Sequence, residues 1–213
     1  LQFFPIGVMG ELIAVPQTAL LRKDSLVMQR TYVGGGGYLR VTPSFLEGGP
    51  RFSIRPVDLF EFHAMGIATL HYPTTNGRVP FDSLANKTYA DRQVHPHENL
   101  GAAFTLGLRL SPVLKLKLGP VIAVYGATFN YHHMFLDGVD SDQLVYDAAL
   151  DLLLLQSDWT IEHQAAVMAE VLDGESTAVR LRLGGTVRQR LSIGAGDESL
   201  NAGFIGMVKP GRK

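Results

Sequence analysis

The chain has 213 residues, of which 46% are hydrophobic and 18% charged, and its 19 basic and 20 acidic side chains leave a net charge of −1. This length suits one domain, the charged share lies below the roughly 25% of an average soluble chain, and the missing basic excess argues against a nucleic-acid binder. With no cysteine there is neither a disulfide framework nor a thiolate metal site, and 23 glycines suit tight turns and close strand packing more than helices.

The sequence opens Leu1-Gln2-Phe3-Phe4-Pro5 and shows no basic segment followed by an apolar one, so no intact signal peptide is visible. A first strand is expected over 5–15, with Glu11 interrupting its alternation. Gly34 to Gly37 reads either as a turn or as a small-residue strand segment, and Pro43 and Glu47-Gly48-Gly49-Pro50 interrupt the next segment. Taking 38–55 as one strand leads to about ten strands in the chain, and breaking it into hairpins leads to about twelve. A turn is expected at Arg55-Pro56-Val57-Asp58. Phe60, Phe62, Ala64, Ala68 and Leu70 then share one strand face, opposite Glu61, His63 and Thr69. The polar stretch 73–99 comes next, too long for an ordinary connection and therefore a functional loop, either folded inward as a plug or reaching outward to a partner.

Leu100, Ala102, Phe104, Leu106, Leu108 and Leu110 oppose Thr105 and Arg109, and a turn is expected at Ser111-Pro112-Val113-Leu114. A strand near 115–131 would carry Lys115 and Lys117 on its polar face. The uncharged run from 118 to 136 is long enough for a transmembrane helix. However, Gly119-Pro120, Gly126, Asn130 and His132-His133 break it, and it reads as a strand entering a loop.

The strongest pattern is a hairpin from Gln143 to Leu172. Leu144, Tyr146, Ala148, Leu150, Leu152 and Leu154 alternate with Asp147, Ala149 and Asp151; after a turn at Gln156-Ser157-Asp158, Trp159, Ile161, His163, Ala165, Val167, Ala169 and Val171 alternate with Thr160, Glu162, Gln164 and Glu170. Strands of about a dozen residues exceed the usual five or six and match the nine to eleven that cross a bilayer at a tilt. A connection over 173–176 leads to Val179, Leu181 and Leu183 opposite Arg180 and Arg182. A turn is expected around Val187-Arg188-Gln189, and two short strands over 191–195 and 200–208 complete the series.

Long strands with one apolar and one polar face, joined by alternating short and long connections, resemble the bacterial outer-membrane β-barrel class over nearly the whole chain. Asn201, Gly203 and Val208 loosely match the terminal-strand pattern of such barrels, although the usual terminal aromatic is missing. The resemblance implies an all-β, closed antiparallel up-and-down transmembrane barrel of about ten strands, with eight to twelve as the range. Residues 1–213 would form a single domain, with 73–99 as a long external loop. It also implies a Gram-negative outer-membrane location, with a signal peptide already removed or outside this sequence. The partners would be the lipid bilayer, lipopolysaccharide and an outer-membrane or periplasmic protein. Tyr146 and Trp159 would belong to the interfacial aromatic belts.

The inward charges are the functional lead. Asp147, Asp151, Glu162 and Glu170 would form an acidic wall, with Arg180, Arg182, Arg188 and Arg190 facing it and Glu61, His63, Arg109 and Lys117 completing the ladder. Such a lumen is either locked by salt bridges or crossed by a transverse field that orients polar solutes. Small barrels have interiors that side chains fill, which favours the locked lumen. His95, His97, His132, His133, Asp137, Asp140 and Asp142 cluster near two loops, but no spacing matches a metal motif, so no metal and no cofactor is expected. No nucleophile elbow, phosphate loop or dinucleotide fingerprint appears, and His63 reads as a hydrogen-bonded lumen histidine before a general base. The expectation is therefore a non-enzymatic, porin-like barrel that anchors or passes small polar solutes. The alternatives are an outer-membrane enzyme acting on lipid and a soluble all-β sandwich that binds a partner.

Overall fold

The computed structural model describes residues 10–20, 30–43, 45–72, 78–81, 103–136, 141–147, 152–172 and 179–210. Within them the chain is all-β and antiparallel. The large sheet is built from β1 (Gly10–Ala14), β2 (Gln17–Ala19), β3 (Tyr32–Val41), β4 (Phe45–Val57), β5 (Phe60–His71), β7 (Ala103–Leu118), β8 (Val121–Phe135), β11 (Ser157–Leu172), β12 (Val179–Ser192) and β13 (Glu198–Pro210). A second sheet joins β6 (Arg78–Phe81), β9 (Leu144–Asp147) and β10 (Leu152–Leu154) in the order β10-β9-β6.

The large sheet is an up-and-down meander. Its ten strands occupy nine positions, because β1 and β2 both lie against β3 and are separated by Val15-Pro16. All its pairings are antiparallel, so the two edges, β1/β2 and β13, run in the same direction, and no pairing between them is present among the described residues. One end of the meander carries the tight turns at Asp58-Leu59 and Gly119-Pro120; the other carries the long connections after β5 and β8. At the second turn Gly119 sits at φ 58°, in the left-handed region that glycine enters without a Cβ penalty.

The strands are long: 13 residues in β4, 16 in β7, 15 in β8, 16 in β11 and 14 in β12. Alternation holds across the register. One row runs Leu114, Tyr125, Ala165, Val187, Ala202, and another runs Leu116, Ala123, Val167, Gly185, Phe204. These side chains belong to an apolar face that no second layer of described residues covers: Leu116, Leu118, Val167, Val187 and Leu200 are exposed, and Phe204 is fully so at 101%. The opposite face is polar. The sheet curls around it, so that Val113 of β7 and Ile205 of β13 line one cavity.

The buried core sits at the long-connection end, where the small sheet packs on the polar face. Leu152 and Leu154 of β10 and Val145 of β9 cluster with Ala103, Met134 and Leu136, while Leu144, Tyr146 and Leu153 cluster with Ala195. Residues 78–81, inside the long polar stretch, pair with β9 as a strand of this small sheet.

Several expected boundaries are corrected. The stretch 144–154 is not one wall strand paired with 157–172; it folds back on itself, with Asp147 opposite Leu152, and β11 pairs with β8 and β12 instead. Both faces of β9 and β10 are buried, so the leucines pack inside the molecule. Their alternation signalled strand without signalling where the strand stops, because Ala148-Ala149-Leu150 has no Gly or Pro to mark the reversal. Ser111 to Leu114 is not a turn: β7 runs through it, and Pro112 interrupts only the pairing with β8, between Leu110 and Val113. Val187 to Gln189 lies inside β12. Residues 38–55 split into β3 and β4, with Thr42 closing the turn through its backbone and hydroxyl contacts to Phe45. Glycine lets β4 and β5 pack closely: a Cβ on Gly49 would fall 2.2 Å from the Gly66 carbonyl oxygen.

Candidate functional site in the polar trough

The charged groups on the concave face are paired with neighbours rather than ranged as opposing walls. Strand alternation puts Tyr32 of β3, Arg55 of β4, Glu61 and His63 of β5 and Lys115 of β7 on the same side of the sheet. The buried Glu61 carboxylate accepts hydrogen bonds from the Tyr32 hydroxyl, the Arg55 guanidinium at 2.6 Å and the Lys115 ammonium, and His63 Nε2 lies 3.2 Å from it. His63 also contacts the Ser53 hydroxyl through Nδ1 at 2.9 Å. Both its ring nitrogens therefore have partners, which suits a structural histidine.

On the far side of the sheet, Glu162 Oε2 accepts from Arg190 Nε at 2.8 Å and its other oxygen lies 3.5 Å from Arg188, while Glu170 and Arg182 are 2.9 Å apart. These pairs join adjacent strands β11 and β12, so their fields cancel over a few ångströms. The expected acidic wall facing a basic wall is thus corrected. The reason is register: Glu162 stands opposite Arg190 and Glu170 opposite Arg182. Arg109 donates from Nε to Asn130 Oδ1 at 2.7 Å, and Lys117 lies at the turn end with Lys115, Arg30, Arg55 and Asp58 around a space of about 550 Å³.

The remaining candidates divide. Asp147 is buried in the cap rather than on a wall strand. Arg180 pairs with Lys209 in the backbone register of β12 and β13. Asp151 lies outside the described residues, as do His95, His97, Asp137 and Asp140. Tyr146 is 5% exposed and packs in the cap, which corrects its assignment to an interfacial belt; Trp159 does stand on the apolar face, against Tyr131 at 5.3 Å. His132 and His133 fall on opposite faces, the first near the Leu155 carbonyl and the second beside the Ser157 hydroxyl. Among the described residues no group of three or more metal-ligating side chains forms.

Sequence reading missed Tyr38, Arg40, Glu47 and Asp158. The first three would have followed from the period-two pattern once the turn at Thr42-Pro43 was placed. Arg40 bridges Glu11 at 2.8 Å and Glu47 at 3.5 Å, which forms a charge row across β1, β3 and β4. Asp158, expected only in a turn, is a buried clasp. Its carboxylate accepts from the Ser192 hydroxyl, from the Gly194 and Trp159 amides at 2.7 Å, and from the Leu155 and Ala195 amides at 3.3 Å. Asp197 adds a bond from the Leu153 amide at 2.8 Å, which ties the cap to the connection between β12 and β13. No protein family, curated protein or solved structure matches the chain.

Proposed function

We propose that this chain is an integral outer-membrane β-barrel whose charge-paired lumen is capped at one mouth, and that its role is passive: a structural or anchoring barrel. The observation that carries this reading is the uncovered convex face. In water, side chains such as Phe204, Leu118 and Val187 would leave a contiguous apolar surface far beyond what soluble monomers tolerate. In a bilayer the same surface is the favourable one, and ion pairs belong on the enclosed side. The strands exceed the nine to eleven residues that a tilted crossing needs. Trp159 and Tyr131 stand at one end of the apolar face, where interfacial aromatics sit. Polar groups on that face are satisfied locally, as with Tyr125 and His163, whose hydroxyl and Nδ1 are 2.8 Å apart.

Closure joins the edges formed by β1/β2 and β13, which removes the exposed strand edges that otherwise invite aggregation. The absence of cysteine makes this testable: Leu12→Cys combined in turn with Leu200→Cys, Ala202→Cys, Phe204→Cys or Gly206→Cys reports any approach as a crosslink. A chain that resists carbonate extraction from membranes, shifts on gels with heating and crosslinks in this scan fits the proposal. One that stays dispersed without detergent refutes it. A narrow channel is the second reading, favoured by the cavities along the trough; steady conductance in a planar bilayer that changes on neutralising Arg182 selects it over the anchor.

A further inference from the structure

We infer that the trough binds a free straight-chain carboxylate of medium length, its head among the cations at the tight-turn end and its chain on an apolar patch just inside. Farther from that end, the inward positions of β7, β8 and β11 are polar: Arg109 bonds Asn130, Ser111 meets Thr128, and Asn130 reaches Thr160. Toward the tight turns the inward face changes character. Val113, Val124, Ala166, Met168 and Ile205 line a half-open space of about 310 Å³, with Thr128, Glu162 and Gln164 completing its lining. Register sets Lys117, Ile122, Met168, Gly184 and Ile205 in one row across β7, β8, β11, β12 and β13, so a cation begins a row otherwise without charge. The space equals about ten liquid waters in volume, enough for a carboxylate of about eight carbons.

Charge at the tight-turn end selects the head group. Arg30, Arg55, Lys115 and Lys117 surround the larger open space of about 550 Å³ together with Asp58. Arg55 and Lys115 share the Glu61 carboxylate, so these four cations meet two carboxylates, Asp58 and Glu61. The nearby Glu170 is matched by Arg182. Lys117 is exposed, and no ion pair joins it to a carboxylate among the described residues. Ile122 lines the charged space and Val124, the next residue on the same face, lines the apolar one, so the two spaces adjoin. A carboxylate held at Lys117 therefore has apolar surface directly behind it. An inorganic anion would leave that surface wet, and a cationic amphiphile would meet the surplus positive charge. A lipid with two long chains exceeds the space. The inference rests on the curled trough and does not require the bilayer.

The test is titration of the purified full chain with octanoate, butyrate and octylamine, followed by saturation-transfer NMR and calorimetry. It is run in nanodiscs of zwitterionic lipid, with empty discs as the blank, and in buffer where the chain remains dispersed. Octanoate is expected to bind saturably with a Kd of about 1 mM or tighter. Each buried methylene strengthens binding about fourfold, so butyrate is expected to bind at least tenfold more weakly. Octylamine, with the same chain and the opposite charge, is expected to show no saturable binding. Dioctanoylphosphatidylglycerol, an anionic lipid with two such chains, is expected not to displace octanoate. Lys117→Glu is expected to weaken octanoate at least tenfold. Absence of saturable octanoate binding above the blank, butyrate or octylamine binding as tightly, displacement by the two-chain lipid, or an unchanged affinity in Lys117→Glu overturns the inference. Should Lys117→Glu not fold, Ile205→Ser, which trims the far end of the apolar row, is read the same way, and the ligand comparison on the unaltered chain is decisive by itself. Octanoate binding in buffer by a chain that proves soluble would leave this site standing while the membrane proposal falls.

Discussion

Placing a charge on the convex face separates a lipid-facing surface from a water-facing one by magnitude. Val187 lies near the middle of the 14-residue β12 and is 48% exposed, between Ala165 and Ala202 in the register. Leu118 ends β7, beside the Gly119-Pro120 turn. If the face meets hydrocarbon, Val187→Arg costs about 2–4 kcal/mol and Leu118→Arg only about 0–1, because the penalty of an arginine falls from the midplane toward the interface. If the face meets water, both substitutions stay within about 0.5 kcal/mol, as exposed positions do. The difference between the two sites, about 1–4 kcal/mol or a factor of about 5 to 900 in the unfolding constant, is thus the readout. Urea unfolding of the chain reconstituted in lipid vesicles measures it, and the single tryptophan, Trp159 on the same face, reports the transition. Equal midpoints for Val187→Arg and Leu118→Arg would refute the reasoning.

Other outcomes follow from the buried polar groups. Asp158→Ala removes the acceptor of two part-buried 2.7 Å amide bonds and of the buried Ser192 hydroxyl, so a loss of about 2–4 kcal/mol is expected in the same titration; a loss under about 1 kcal/mol means the clasp is dispensable. Glu61→Gln leaves Arg55 and Lys115 facing each other across a neutral group, and because both cations keep partial access to solvent a loss of about 1–3 kcal/mol is expected. Exchanging Glu170 and Arg182 keeps their pairing across β11 and β12, so the swapped double variant is expected to recover most of what either single change loses. Recovery below half would mean that the pair is not an independent unit.

The alternation of residues along the chain determined the strand content and the assignment of faces without help from anything else. A side chain in a strand can point only two ways, and Glu61, His63, Arg109, Glu162 and Arg182 all fell on the polar face where their parity put them. Parity, however, carries no information about where a strand turns back or which strand lies beside it. Leu144 to Leu154 has the alternation of a wall strand, yet its residues are buried on both sides as β9 and β10, because the reversal after Asp147 has no local turn chemistry and the apolar side chains find Met134, Ala103 and Ala195. Likewise Pro112 and Arg188 resemble turn residues in sequence and lie inside β7 and β12, where long-range pairing along the rest of each strand outweighs one weak position. Only the register decided that Glu162 meets Arg190 next door rather than a charge across the trough, and only the packing of the cap on the trough brought Asp147 and Leu154 to one cavity with Arg40 and Glu47. Those contacts join residues far apart in the chain, a separation over which local preference has nothing to say and burial of apolar surface settles the arrangement.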